Sequence, residues 1–379
     1  MIIKLSQKEL KPGIIAVKPI MTPSGQVLAP AMTELTRQII NKMKLYNVDC
    51  AFVDSNDPLV IALGLSSSHA EKPAEEKKVI TYKEETQSNS QRMIVSKEFK
   101  GFQMDYLLYI EQLKNIFANI IQTPNYTINT AELIEKMAPL YTSRNTIVEL
   151  FDMLHQMHTL SDSIYAHCVN VALISRMIGR WLHLDKHELD ILTCSGLLHD
   201  IGKLAIPDDI LNKPGKLTDE EFAQIKAHPA TGYNMLRNQD IDTRIKQAAL
   251  MHHERYDGSG YPNQLTSEFL SDFAMIVAIA DVYDAMTAAR SYREPLCPFQ
   301  VIEKFEQEGF QKYHTKYIYV FLHHIASTYQ SNRVMLNDGR CCKIVMLNQS
   351  TLSKPIVQFD DGMCLDLSGQ KELFITKVL

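Results

Sequence analysis

Adjacent His199 and Asp200 offer an imidazole nitrogen and a carboxylate from neighbouring positions, and His252 and His253 offer two more nitrogens further along the chain. A carboxylate has two oxygens, so Asp200 can touch two cations at once. A pair of divalent ions bridged in this way is suited to splitting a phosphate ester with activated water. His167, His228 and Asp281 lie in the same stretch and extend the donor set. The run Gly258-Ser259-Gly260-Tyr261-Pro262 follows the paired histidines, and its glycines permit positive φ and close approach of a ligand or partner.

Each donor sits at the end or on the inward face of an apolar segment. His167 has Val171 and Ile174 behind it. His199 and Asp200 close a run containing Leu189, Ile191, Leu192, Leu197 and Leu198. His228 precedes Pro229 near a helix start, and His252-His253 follow Ala248-Ala249-Leu250-Met251. Asp281 lies between Ile276 and Asp284, in the most apolar helix of the chain. Taken singly, each has a plainer explanation. An inward histidine is ordinarily a hydrogen-bonded core residue, and a histidine pair or a buried aspartate can cap a helix. Five histidines and two aspartates in one helical region are harder to explain that way, because unpaired polar groups on buried faces are costly. Metal ions supply a common partner. The other histidines, such as His69, His155, His158, His183, His187, His314, His323 and His324, read as surface or packing residues.

Composition fits this picture. The 379-residue chain is 45% hydrophobic and 22% charged, ordinary for a globular protein of two or three domains. A net charge of −5 gives no basic field for duplex nucleic acid, although a few local arginines suffice for a small phosphate ligand. The seven cysteines include no CxxC pair and read as reduced thiols of a cytoplasmic protein. The N-terminus Met1–Ser6 lacks a signal-peptide pattern. The longest apolar run, Phe273 to Ala280, falls short of the roughly 20 residues that span a bilayer, so no membrane association is expected.

Four textures divide the chain. Residues 1–65 mix strand and helix signals: Ile14-Ile15-Ala16-Val17 follows a Lys-Pro-Gly turn, Thr33 to Tyr46 has helical spacing at Leu35, Ile39, Ile40 and Met43, and Val48 to Val53 reads as a strand. This is a small accessory α+β module. Residues 66–98, rich in Ser, Glu, Lys and Gln, read as a solvated linker. Residues 99–328 are helical: Ile110, Leu113, Ile116 and Phe117 share one face, Thr130–Met137 and Asn145–Met157 make others, and Thr218-Asp219-Glu220-Glu221 is a capping box. Residues 331–379 change to short strands with a turn at Asp360-Asp361-Gly362, a small β module. The expected fold is mainly α: an all-helical bundle carrying a binuclear metal site, flanked by the two small modules.

Leu197–Pro207 and His252–Pro262 resemble the two signature stretches of the HD-GYP domain, and Ala280–Arg293 resembles the stretch that follows them. The resemblance covers residues 145–328, the core of the helical region. It implies an HD-superfamily, metal-dependent phosphodiesterase that hydrolyses cyclic di-GMP to pGpG and often on to GMP. It implies that His167, His199, Asp200 and Asp281 hold one metal, and that Asp200 bridges to a second held by His228, His252 and His253. Arg290 and Arg293 would lie near the substrate phosphate, where a planar guanidinium grips oxygens bidentately. Tyr261 and Asp284 would line the pocket, and Lys203 would turn back towards the phosphate. Three-metal members carry a Glu where this chain has Ser163, a poor ligand. Two ions are therefore expected rather than three, which weighs against the second hydrolysis.

The expected chemistry is in-line attack by a hydroxide bridging both ions, with Lys203 and Arg290 stabilising charge on the non-bridging oxygens or Lys203 protonating the leaving group. A mixed nitrogen and oxygen donor set suits Fe or Mn over Mg. In relatives the Gly260-Tyr261-Pro262 loop is proposed to meet diguanylate cyclase (GGDEF) domains; the alternative is a plain turn. Three other readings compete: the same chemistry on a cyclic GMP-AMP dinucleotide, a non-catalytic cyclic-dinucleotide receptor, and a nucleotidase of the broader superfamily, which the GYP stretch disfavours. Pairing into a homodimer is left open.

Overall fold

The computed structural model describes residues 2–6, 9–21, 27–36, 39–40, 43, 48, 50–55, 57–62, 96–123, 125–142, 150–151, 153–154, 157, 163–211, 213, 215–288 and 295–379. They fall into two compact units, Met1–Glu84 and Glu85–Leu379. No helix among them is long and apolar enough to cross a membrane.

The first unit contains β1 (Ile2–Ser6), β2 (Ile15–Ala16), β3 (Ile20–Met21), β4 (Val27–Ala29), β5 (Thr33–Glu34), β6 (Cys50–Asp54) and the short α1 (Pro58–Ala62). One sheet has the order β1-β6-β2-β5, with Ile2 opposite Asp54 in an antiparallel ladder. Strand periodicity sends Ile3, Leu5, Ala51 and Val53 to the buried face. One expectation is corrected here: Thr33 and Glu34 are not helical but pair with β2. The Leu35 amide donates to Ile14 O at 2.8 Å and its carbonyl accepts from Gly13 N at 2.9 Å. That backbone is committed to the neighbouring turn, so helical residues among those described begin only at Ile39.

The second unit is helical, then sheet. Its longer helices among the described residues are α2 (Lys97–Gln122), α3 (Thr130–Thr142), α4 (Ile164–Trp181), α5 (Lys186–Leu198), α6 (Asp219–Lys226), α7 (His228–Leu236), α8 (Thr243–Met251), α9 (Asp272–Thr287), α10 (Pro298–Lys304) and α11 (Thr315–Thr328). Local chemistry sets their starts. Ser163 caps α4, Asp185 and Glu188 form a capping box at α5, and Thr218 and Glu221 form the one expected at α6. Helix α9 buries every residue from Phe273 to Asp281, as a helix apolar on all sides should. Helices α4 and α5 cross closely because Gly196 has no side chain; a Cβ there would lie 2.6 Å from Ala172 Cα.

The C-terminal strands β7 (Arg333–Leu336), β8 (Cys341–Met346), β9 (Ile356–Phe359), β10 (Cys364–Asp366) and β11 (Ile375–Val378) form a sheet of order β10-β9-β8-β7-β11. Val334, Cys342, Ile344 and Val357 belong to the same hydrophobic cluster as Ile302, Ile318 and Phe321 of α10 and α11. The sheet therefore shares a core with the helices.

Candidate metal centre

Five elements deliver the expected donors to one place. Helix α4 carries His167, α5 ends at His199, α7 begins at His228, α8 ends at His252 and His253, and α9 carries Asp281. Asp200 sits between α5 and the 3-10 turn Ile201–Ala205. Gly202 lets that turn seat against α7: a Cβ would fall 2.0 Å from the His228 carbonyl oxygen and 2.5 Å from Gly232 N. The donor atoms form two groups, each within 4.8 Å: Asp200 with His228, His252 and His253, and His167 with His199 and Asp281.

The orientation of the rings decides what the groups can do. His199 Nδ1 lies 2.7 Å from Gly196 O, His228 Nδ1 lies 2.7 Å from Ile225 O, and His252 Nδ1 lies 3.0 and 3.1 Å from the Ala248 and Ala249 carbonyls. A carbonyl can only accept, so each Nδ1 carries a proton, and in the neutral ring that a metal requires each Nε2 presents a lone pair. Those lone pairs face inward. His228 Nε2 lies 3.1 Å from Asp200 Oδ1 and 3.1 Å from His252 Nε2, while His199 Nε2 lies 3.4 Å from Asp200 Oδ2. Among the described residues, His199 Nε2 and Asp200 Oδ1 are buried without a well-formed hydrogen bond. Acceptors converging on acceptors in a dry interior need a cation, so the residues fit a divalent metal.

Electrostatics agree. Burial alone would raise the Asp200 carboxyl, but Lys203 and then His199 outweigh it and hold the group well below the usual carboxylate range. Asp281 is likewise held low against burial by His167 and His253. Burial pushes His252 down to about 4 and drives His253 well below its ordinary value, so both are neutral and able to ligate. His167 differs. Against burial, Asp281 at 3.1 Å and Asp284 at 2.7 Å hold its imidazole up to about 10, so without a cation it carries a proton that metal binding displaces.

The other expected residues fall as follows. Lys203 Nζ donates to Asp200 Oδ2 at 2.5 Å from a partly exposed position. Tyr261 stacks on the His253 ring, centroids 4.7 Å apart, with Lys226 Nζ 5.3 Å from its own centroid. Asp284 was expected to line the substrate pocket; it is instead buried behind His167, facing that ring's Nδ1. Arg290 and Arg293 lie outside the described residues. Ser163, which stands where three-metal members carry a Glu, is the extended N-cap of α4, its Oγ accepting from Ala166 N at 3.2 Å.

Two contributors went unassigned in the sequence. Glu254 is buried, and its carboxylate accepts from Asn263 N at 2.7 Å and Leu265 N at 3.0 Å, tying the Gly258–Pro262 loop to the paired histidines. An acid directly after His252-His253 was the available signal. Gly260 completes the clamp, since a Cβ there would meet Arg255 N and Glu254 Cα at 2.4 Å.

Comparison with known proteins gives a consistent result. Residues 129–316 match the profile of the HD domain family. The chain is 32% identical over 227 residues to a 3′3′-cGAMP-specific phosphodiesterase of Vibrio cholerae, covering 58% of this chain and 43% of that protein. It is 38% identical over 170 residues to a cyclic di-GMP phosphodiesterase of Pseudomonas aeruginosa, covering 44% of this chain and 40% of that one. It is 46% identical over 125 residues to a cyclic di-GMP phosphodiesterase response regulator of Xanthomonas campestris pv. campestris, covering 32% of each. The chain thus spans less than half the length of these relatives.

Proposed function

The helical region of this chain belongs to the HD domain family and carries its HD-GYP signatures, and on that premise we propose that the protein is a metal-dependent phosphodiesterase that hydrolyses cyclic di-GMP to pGpG. The observation that carries the proposal is the convergence of the His199, His228 and His252 Nε2 atoms on the two oxygens of Asp200.

In this reading His167, His199 and Asp281 hold one ion, His228, His252 and His253 hold the other, and Asp200 bridges. Divalent cations, when bound, supply activated water and neutralise phosphate charge. The protein's own part is to orient and to exclude. The helix-end carbonyls fix the imidazole tautomers, Asp284 turns the His167 ring, and the buried walls keep bulk water from Asp200. Lys203 stands at the partly exposed rim, where its ammonium meets a non-bridging phosphate oxygen or gives a proton to the leaving 3′-oxygen. Burial opposes its charge, yet Asp200 and Asp281 raise its affinity for the proton, so it is cationic at neutral pH. Tyr261 offers a ring face to a guanine base, and Arg290 and Arg293 bind the phosphates.

A donor set dominated by nitrogen supports Fe or Mn over Mg. The Ser163 hydroxyl already serves as a helix cap, which supports two ions and pGpG as the end product. The exposure of Asn263 and Gln264 beside Gly260-Tyr261-Pro262 supports that loop as a contact surface for a cytoplasmic diguanylate cyclase domain. A second reading, hydrolysis of 3′3′-cGAMP, is favoured by the similarity to the Vibrio cholerae enzyme specific for that dinucleotide.

The test is turnover of each dinucleotide by anaerobically purified protein loaded with Mn(II) or Fe(II), with products separated by chromatography. Cyclic di-GMP consumed to pGpG, lost on chelation and restored by metal, is the expected result. Faster consumption of 3′3′-cGAMP selects the second reading. Binding without turnover in the loaded protein overturns both.

A further inference from the structure

Helix α2 lies outside the matched residues 129–316, yet it reaches the turn of α4 from which His167 projects. Tyr106 is fully buried, and its Oη lies 2.6 Å from Asn170 Oδ1 and 3.2 Å from Ala166 O. Ala166 and Asn170 flank His167 and are one helical turn apart, so a single hydroxyl spans that turn. Further along α2, the Phe117 ring pairs with Tyr165 at 5.8 Å between centroids. Tyr165, Ala166 and Asn170 are thereby gripped from outside. The His167 ring meets Asp200, Asp281 and Asp284 on the other side.

We propose that α2 is a brace for the metal centre and that Tyr106 is its positioning residue, setting where His167 stands between Asp281 and Asp284. The proposal rests on the metal reading above. The physical reason is geometric. The Nδ1 atoms of His199, His228 and His252 are held by backbone carbonyls, whereas that of His167 is held by a side chain, Asp284, at 2.7 Å. The place of His167 therefore depends on the relative position of two helices, α4 and α9. A buried tyrosine hydroxyl bound to one of them fixes that position; without the hydroxyl, Asn170 Oδ1 loses a close donor in a dry environment and the turn can shift. Because α2 grips α4 through Tyr106 and Phe117, a displacement of α2 would be felt at His167.

The fold contains its own control. Tyr109 is also buried on α2, and its hydroxyl donates to Leu133 O of α3 at 3.1 Å. Tyr106→Phe and Tyr109→Phe each delete one buried hydroxyl from the same helix, but only the first hydroxyl is hydrogen-bonded to α4. Metal-stripped wild type and both variants are titrated with Mn(II) by calorimetry, with thermal melts recorded alongside. Wild type takes up two ions. Both variants are expected to melt below wild type by similar amounts. Only Tyr106→Phe should weaken one of the two Mn(II) steps, on the order of tenfold, the low end for residues that orient a ligand from behind. Should Tyr106→Phe not fold, Phe117→Leu releases the Tyr165 ring from the same brace and carries the same expectation. Equal Mn(II) affinities in the two tyrosine variants overturn the brace while leaving the metal reading intact. Wild type that takes up no Mn(II) overturns the metal reading itself.

Discussion

Histidines gather in two parts of the second unit, and only one gathering is equipped to hold a cation. In the centre, the His199 and His252 rings stand 4.8 Å apart, and His167 and His199 stand 5.2 Å apart. On α11, His323 and His324 are almost as close at 5.8 Å, with His324 stacked flat on Trp181 at 4.6 Å. Crowding is similar; commitment of the nitrogens is not. Each central ring just named has Nδ1 held by a carbonyl or carboxylate and Nε2 turned towards an aspartate. Among the described residues neither α11 ring forms an ion pair, and their faces serve aromatic packing. What makes imidazoles a metal site is which nitrogen the fold has already engaged, not how many lie together.

The contrast can be broken most decisively at Asp200. Asp200→Ala should reduce phosphodiesterase turnover to background while circular dichroism and melting still report a folded protein; turnover in that variant would show that the converging nitrogens do not depend on a shared carboxylate. Next in size is Gly202→Ala. Its Cβ would collide with the His228 carbonyl oxygen and the Gly232 amide, so a loss of about 3 kcal/mol is expected from chemical denaturation, together with weakened Mn(II) uptake. Unchanged stability would mean that the turn reaches α7 with room to spare.

Gly260→Ala tests the rim rather than the centre. The added methyl pushes the loop off Glu254 and takes Tyr261 away from His253. Turnover should fall roughly tenfold to a hundredfold while both metals still bind, because reacting groups tolerate little displacement. A parallel fall in metal content would place the loop inside the centre. The smallest effect is expected on α11. His324→Gln should leave two Mn(II) ions bound and shift stability at pH 8 by only about 0.5 kcal/mol. Its acid response sharpens the contrast. Burial, then His323 and His183, hold the folded ring below its ordinary value of 6.5. At pH 8 the ring is neutral in both folded and unfolded chains. As pH falls through 6.5, the unfolded chain takes up the proton first and stability is lost. The melting temperature of wild type should therefore drop more between pH 7 and 5 than that of the variant, and identical slopes would remove His324 from the acid response.

Much of the centre was legible because its residues break local rules. Polar side chains at apolar helix ends, as at Leu197-Leu198-His199-Asp200, announce a partner that the sequence itself does not contain. Capping chemistry was equally direct at Thr218 and Glu221. Residues whose role depends on tertiary direction were not legible. Asp284 stands one helical turn from Asp281 and faces the opposite nitrogen of the same ring, a distinction that spacing alone does not carry. Leu35 fitted a helical spacing, yet long-range backbone bonds to the Gly13-Ile14 turn drew Thr33 and Glu34 into a strand. Tyr106 carries no local mark of its role, because nothing nearby in sequence points to Asn170.

Three of the imidazoles close onto carbonyls in the last turn of a helix: Gly196 of α5, Ile225 of α6 and Ala248 with Ala249 of α8. Those carbonyls lie where the backbone ladder runs out, so the ring nitrogen adds a donor at the helix end while the helix end aims the ring. Fraying of these termini and release of a ligand are then the same event. Loading the protein with metal should slow amide hydrogen exchange at the ends of α5, α6 and α8 together, coupling three segments that are far apart along the chain.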